Sequence, residues 1–140
     1  MKPIIITGNI GSGKSTLIKG ICEEFPNIRN FSFDNYTKEL YQQPEIVDFL
    51  IEHFGTADKS AVSDLIFGAS GDEMREKLNS HFYRLVEAKF IDLVTSHQDT
   101  PLLIEMPLYF EMLSKSQFMQ MLRNYVYVVT VIADDSVRIE

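Results

Sequence analysis

Two hydrophobic patterns alternate along the chain. Short apolar runs at 4–6, 102–104 and 126–129 are typical of buried strands, whereas the stretches between them carry apolar residues three or four positions apart, as amphipathic helices do. The pattern predicts strands at 2–7, 28–33, 101–105 and 125–132. It predicts helices at 14–24, 35–42, 44–54, 60–67, 71–96 and over most of 108–122, and a last helix that begins at Asp134-Asp135-Ser136.

Strands that are separated by helices predict an α/β fold with a parallel sheet of about four strands and right-handed crossovers. The long helical stretch after the second strand divides the chain into a core, 1–34 with 98–140, and a helical insert at 35–97. Ligands of such sheets bind beyond the carboxyl ends of the strands. We therefore expect 8–15, Asp34 and 105–111 to lie at one edge of the sheet.

The segment 8–15, Gly-Asn-Ile-Gly-Ser-Gly-Lys-Ser, matches the P-loop pattern G-x-x-x-x-G-K-S between a predicted strand and a predicted helix. Glycines let successive N–H groups converge on phosphate at a helix N-terminus. Lys14 then adds a cation and the Ser15 hydroxyl a ligand for Mg²⁺, which predicts phosphoryl transfer from ATP with Lys14 in a catalytic role. Thr16 either bonds the α-phosphate or packs the helix. The residues predicted to bind the nucleotide are Gly8, Asn9, Ile10, Gly11, Ser12, Gly13, Lys14, Ser15 and Thr16.

Two carboxylates follow predicted strands. Asp34 either orients and deprotonates an attacking hydroxyl or caps the next helix, where it would contribute roughly 0.5–2 kcal/mol. Glu105 either holds Mg²⁺ together with Ser15, as the acid at the end of a buried strand does in many P-loop enzymes, or is a solvent-facing strand end. Both readings stay open for each residue at this point.

Composition narrows the class of partner. With 13 basic and 20 acidic residues the net charge is −7, which argues against broad binding to nucleic-acid backbones. No apolar run approaches the roughly 20 residues that span a bilayer. Cys22 is the single cysteine, so a disulfide framework or a cysteine metal cluster is excluded. We expect a cytoplasmic protein with a small-molecule substrate; the oligomeric state is left open.

The chain resembles dephospho-CoA kinase over nearly its whole length. Segment 8–16 is similar to that family's G-G-I-G-S-G-K-S-T and differs only at Asn9. Asp34 falls on the second aspartate of the family's D-A-D motif, and 105–111, Glu-Met-Pro-Leu-Tyr-Phe-Glu, resembles D-x-P-L-L-F-E. The resemblance implies transfer of phosphate from ATP to the 3′-hydroxyl of dephospho-CoA, with Asp34 as the catalytic aspartate.

The acceptor side resembles the family less closely. Phe54-Gly55, Ile66-Phe67 and the 14-residue distance from Phe67 to His81 follow its pattern. Lys59 stands where the family has an arginine, Phe82 replaces the proline after the histidine, and Ser32 replaces the first aspartate of D-A-D. A lone histidine on a helix is more often structural, but the resemblance implies an acceptor site. Its members are Lys59, His81, Pro107 and Leu108.

The family's lid and last strand and helix have no counterpart within these 140 residues, which indicates either a fragment or a shortened relative. Together with the departures on the acceptor side, this leaves two rival functions open. One is a kinase of the same fold that acts on a nucleoside or deoxynucleoside monophosphate. The other is a protein that binds nucleotide without turnover, because lids of this kind exclude water and supply arginines for phosphoryl transfer.

Overall fold

The computed structural model describes residues 2–9, 11–66, 71–96 and 99–133. Two predicted features, Phe67 and the helix beginning at Asp134, lie outside the described residues. The elements in chain order are β1 Ile4–Thr7, α1 Lys14–Glu24, β2 Arg29–Ser32, α2 Phe33–Leu40, α3 Pro44–Phe54, α4 Lys59–Ile66, α5 Gly71–Thr95, β3 Leu102–Glu105, α6 Tyr109–Lys115, α7 Gln117–Leu122, a 3₁₀ turn Arg123–Tyr125 and β4 Tyr127–Thr130.

The four strands form one parallel sheet in the order β2-β3-β1-β4. Ile6 of β1 pairs with Glu105 of β3 and with Val129 of β4, so the carboxyl ends of these strands lie side by side. The two central strands are buried, whereas all four residues of β4 are exposed. An edge strand has a neighbour on one side only, and this explains why the apolar run at 126–129 is less buried than its sequence suggests. The predicted parallel α/β fold is confirmed.

The described chain divides into two compact units, 1–34 with 87–140 and 35–86. The smaller unit is helical. Its core consists of Leu40, Ile46, Leu50, Phe54, Val62, Leu78 and Phe82. In α3 and α5 these residues recur every fourth position, which places them on one face of each helix. Full burial of such a side chain contributes about 1.5–3 kcal/mol, so this small core holds the helices together.

Phe82 explains one departure from the family pattern. It lies near the middle of α5, is 9% exposed, and packs against Tyr41 with 4.9 Å between the ring centroids. A proline at this position would remove a helical hydrogen bond and clash with the preceding turn, at a cost of about 3 kcal/mol or more. Phenylalanine therefore lets α5 run unbroken past His81.

Of the differences between the predicted and the observed element bounds, two concern Asp34 and the stretch after β3. Helix α2 begins at Phe33, directly at the end of β2, so Asp34 is inside its first turn rather than in front of it. The stretch 108–122 is two helices because Ser116 ends α6 and caps α7 by accepting a hydrogen bond from the Met119 N–H at 3.1 Å. Of the helices in the described ranges, none is long and apolar enough to cross a membrane.

Candidate functional site

The loop after β1 passes very close to the end of β4. Gly8 has φ of +146°, and a Cβ atom built on it would lie 2.5 Å from the carbonyl oxygen of Val131 and 2.9 Å from the Ser12 hydroxyl. The Val131 N–H in turn donates to the Thr7 carbonyl at 2.8 Å, which fixes the close approach. Only glycine fits here, because both the backbone angle and the space exclude a side chain.

Lys14 is a buried cation, only 8% exposed, at the first position of α1. Its ammonium group folds back over the loop and donates to the carbonyl oxygens of Gly8 at 2.8 Å and Asn9 at 2.7 Å. The Ser12 hydroxyl lies 3.5 Å away. Neutral carbonyls are weaker partners for an ammonium than anionic oxygens are. A phosphate placed in the loop can therefore compete for Lys14.

The N-terminus of α1 supplies hydrogen-bond donors beside the Lys14 ammonium. Gly13 caps the helix with φ of +97°, a conformation that residues with a Cβ rarely adopt. The first N–H groups of a helix have no partner within it and carry partial positive charge. The first turn of α1 contains no acidic residue that would neutralise them. Amides and ammonium together form a cradle for an anion.

Two carboxylates flank the cradle. Asp34 is the second residue of α2, and Glu105 is the last residue of β3. Glu105 pairs in register with Ser32, whose hydroxyl lies 3.5 Å from Oε1, at the limit of a hydrogen bond. The family's aspartate at position 32 would instead set a second carboxylate beside Glu105. Serine at this position avoids that repulsion between like charges.

A cavity of about 580 Å³ brings these groups together. It lies within the unit formed by 1–34 and 87–140. Its lining residues are Gly11, Ser12, Gly13, Lys14, Ser15, Thr16, Asp34, Glu105, Pro107 and Ala133. Six of the predicted nucleotide-binding residues, both predicted carboxylates and one predicted acceptor residue thus share one cavity at the carboxyl edge of the sheet.

Other predicted residues lie elsewhere. Gly8 and Asn9 contribute through the carbonyls that hold Lys14, and Ile10 is outside the described residues. Leu108 is 55% exposed and is absent from the cavity lining. Lys59 and His81 belong to the helical unit.

In the helical unit, both predicted acceptor residues make ring contacts. Lys59 is the first residue of α4, and its ammonium lies 5.1 Å from the centre of the Tyr41 ring. His81 stacks on Phe49 with 4.5 Å between centroids and 7° between planes. Both contacts are made to side chains of the helical unit itself.

Sequence reasoning missed two residues of the site. Thr7, 2% exposed, donates from its hydroxyl to the Pro107 carbonyl at 3.1 Å and so holds the loop that reaches the cavity. Ala133 lines the cavity just after β4. The rule that parallel strands end at the same edge of a sheet could have found Ala133, whereas a contact between residues 100 positions apart has no local signal.

The donor set fits Mg²⁺ that is shared with phosphate. Ser15, Asp34 and Glu105 offer oxygen ligands within one cavity. Among the described residues there is no group of three or more His, Cys, Asp or Glu side chains that would hold a metal ion without other ligands. Mg²⁺ commonly keeps several waters and binds one or two carboxylates together with substrate phosphates, so a sparse set of protein ligands is what it requires.

No family model and no curated protein matches the chain. Among solved structures, the crystal structure of TT1252 from Thermus thermophilus is similar, with a TM-score of 0.70 and 23% sequence identity. The alignment covers 99% of this chain and 70% of the Thermus chain. A likeness at this level of identity shows the fold alone, and it agrees with the parallel α/β architecture.

We predict that Gly8→Ala lowers the free energy of unfolding by about 1–3 kcal/mol, the usual cost of a strained backbone position. It should also weaken the binding of any ligand to the loop. The added methyl group would meet the Val131 carbonyl at 2.5 Å. Gly20→Ala is the matched control, because a Cβ there meets nothing within 4 Å on helix α1. It should stabilise by about 0.5–1 kcal/mol. Urea unfolding of the two variants tests this, and equal effects would contradict the close approach.

Proposed function

We propose that the protein binds ATP with Mg²⁺ in the cavity and transfers the γ-phosphoryl group to a hydroxyl of a small molecule. The supporting observation is that Lys14, Ser15, Asp34 and Glu105 line the same cavity, although they are far apart in sequence. By resemblance the acceptor is dephospho-CoA and the product CoA. A P-loop alone would support only nucleotide binding, whereas a carboxylate beside it can orient and deprotonate the hydroxyl of an acceptor.

Lys14 and the loop amides act on the donor. The ammonium would exchange the carbonyls of Gly8 and Asn9 for oxygens of the β- and γ-phosphates. Ser15 and Glu105, directly or through water, would hold Mg²⁺, which when bound neutralises charge between the β- and γ-phosphates. Most of the acceleration in such a site comes from positioning and from preorganised charge, so these residues need no covalent chemistry.

Asp34 acts on the acceptor. Its carboxylate would accept a hydrogen bond from the acceptor hydroxyl and orient that oxygen toward the γ-phosphorus. The acceptor oxygen forms a bond to phosphorus as the bond to the bridging oxygen of ADP breaks. The hydroxyl proton passes to the Asp34 carboxylate and then to solvent. Its place in the first turn of α2 suits this role, because the helix restrains the side chain beside the cavity.

The charges of the cavity favour a hydroxyl over a phosphate as the acceptor group. Among the described lining residues the only cation is Lys14, which serves the donor, and the remaining charged groups are Asp34 and Glu105. Mg²⁺ would offset the charge of Glu105, but an acceptor phosphate would still face the Asp34 carboxylate without a basic side chain of its own among the described lining residues. A neutral hydroxyl meets no such repulsion. This argues for the alcohol acceptor and against the nucleoside monophosphate kinase.

The acceptor is tested by measuring ADP formation with dephospho-CoA and with a panel of nucleoside and deoxynucleoside monophosphates, each against ATP and Mg²⁺ without acceptor. We expect ADP formation to depend on dephospho-CoA. Turnover with a monophosphate instead would favour the rival kinase. ATP binding without ADP formation with any acceptor would favour a nucleotide-binding protein.

We predict that Lys14→Ala weakens binding of ATP and Mg²⁺ at least roughly tenfold, equivalent to about 1.4 kcal/mol. The loop amides cannot replace the lost ammonium charge, since no other cation lines the described cavity. Lys19→Ala removes an exposed lysine from the same helix and should leave the affinity unchanged. Isothermal calorimetry measures both, and an unchanged affinity for Lys14→Ala would remove the basis of the nucleotide site.

We predict that Asp34→Asn lowers kcat by roughly 10²-fold or more with little change in ATP affinity, because the lost carboxylate acts on the nucleophile in the transition state. Stability should fall by less than about 1 kcal/mol, the worth of a negative charge in the first turn of a helix. Asp48→Asn, on the exposed side of α3, is the control for charge. A folded Asp34→Asn variant with unchanged kcat would show that the residue is only structural.

A further inference from the structure

Thr7 is the one polar residue of β1. Ile4, Ile5 and Ile6 precede it, and a fourth β-branched apolar residue would suit the end of a buried strand equally well. Thr7 is 2% exposed, so its hydroxyl is withdrawn from water. Burial of a hydroxyl carries a free-energy cost unless a hydrogen bond compensates it. The partner of this hydroxyl therefore indicates what the threonine contributes.

The partner is a main-chain group of the cavity wall. The Thr7 hydroxyl donates to the Pro107 carbonyl at 3.1 Å, and Pro107 lines the cavity that holds the P-loop. Proline has no N–H group, so its carbonyl is the only main-chain hydrogen-bonding group that it has. Thr7 thus holds Pro107 by the one main-chain group through which it can be held.

The residues on both sides of Pro107 are anchored independently of Thr7. The Met106 N–H donates to the Ile6 carbonyl at 3.0 Å, and the Tyr109 N–H donates to the Met106 carbonyl at 3.2 Å. Met106 and Tyr109 are each 1% exposed, so their side chains are part of the core. Loss of the Thr7 hydroxyl would therefore release Pro107 without unfolding the turn around it.

The nucleotide side of the cavity is held by main-chain groups rather than by the Thr7 hydroxyl. The Thr7 carbonyl accepts a hydrogen bond from the Val131 N–H at 2.8 Å, and a change of side chain leaves this bond in place. Glu105 is held by its strand register, with Ile6 on one side and Ser32 on the other. A substitution limited to the Thr7 side chain therefore acts on the wall after β3 and leaves the P-loop and the acid of β3 in position.

We propose that Thr7 is a positioning residue for the acceptor. Its hydroxyl fixes Pro107 in the wall of the cavity that also contains Asp34, so that the acceptor hydroxyl is held where the Asp34 carboxylate can orient it. The inference rests on the proposed phosphoryl transfer, and it adds a residue that acts through Pro107 rather than on the reactants. A displacement of about 1 Å can lower a rate roughly 10²-fold, so a wall that moves is enough to slow the transfer.

Three variants test the role of the hydroxyl. Thr7→Val removes the donor and keeps the shape of the side chain; we expect kcat/KM for dephospho-CoA to fall at least roughly tenfold because the acceptor is misplaced. The affinity for ATP with Mg²⁺, measured by calorimetry, should stay unchanged. Thr7→Ser keeps the donor and should recover most of kcat/KM. Thr130→Val is the matched control, since Thr130 pairs with Thr7 in register on the exposed strand β4 and should affect neither quantity.

Hydrogen exchange of the backbone amides tests the same bond without any turnover. In the protein without ligands, we expect Thr7→Val to speed exchange at 108–112, the amides that follow Pro107, because local opening becomes easier when one hydrogen bond is lost. Exchange in α1 should keep its wild-type rate. Thr7→Ser and Thr130→Val should both exchange like the wild-type protein.

Three results would overturn the inference. They are unchanged exchange at 108–112 in Thr7→Val, a loss of ATP affinity in Thr7→Val that parallels the loss of kcat/KM, and equal effects of Thr7→Val and Thr130→Val. The second result would mean that the substitution disturbs the whole site. A wild-type protein that forms no ADP with any acceptor would instead contradict the proposed function, and the exchange rates would still decide whether Thr7 holds Pro107.

Discussion

The backbone at Gly8 runs so close to the Val131 carbonyl that no side chain fits between them. This contact ties the end of β1 to the end of β4 and sets the path of the loop up to Gly13, which starts α1 in a left-handed conformation. The position of Lys14 follows from that path, since its ammonium reaches back to the carbonyls of Gly8 and Asn9. The cation, the helix amides and the cavity all depend on this one close approach.

Parallel pairing of β1 with β3 positions the other side of the cavity relative to the P-loop. Register brings Ile6 beside Glu105, and the Thr7 hydroxyl holds the Pro107 carbonyl. The acid at the end of β3 and the loop that follows it thus lie beside the P-loop without any direct bond to Lys14. A site that is assembled from strand ends keeps its arrangement without a ligand. The sheet that positions it is held together by buried apolar residues such as Ile5 and Ile104.

The sequence predicted the parts of the fold that carry local signals. Helices α1 and α3 have the predicted bounds, and each begins where a glycine or proline marks the start. The break at Ser116 was missed because the apolar spacing continues through it, and only the bond from the Met119 N–H shows that a new helix begins. The stacking of His81 on Phe49 depends on tertiary geometry, so no local pattern indicates it.

The most direct test of this account is the position of Lys14 in a crystal structure with Mg²⁺ and a non-hydrolysable ATP analogue. The account predicts that Nζ leaves the Gly8 and Asn9 carbonyls and lies about 2.7–2.9 Å from β- or γ-phosphate oxygens, the distance of a charge-assisted hydrogen bond. Asp34 and Glu105 should face the same phosphates across the cavity. Lys14 still bonded to its own loop, with the analogue bound elsewhere or not at all, would contradict the central claim.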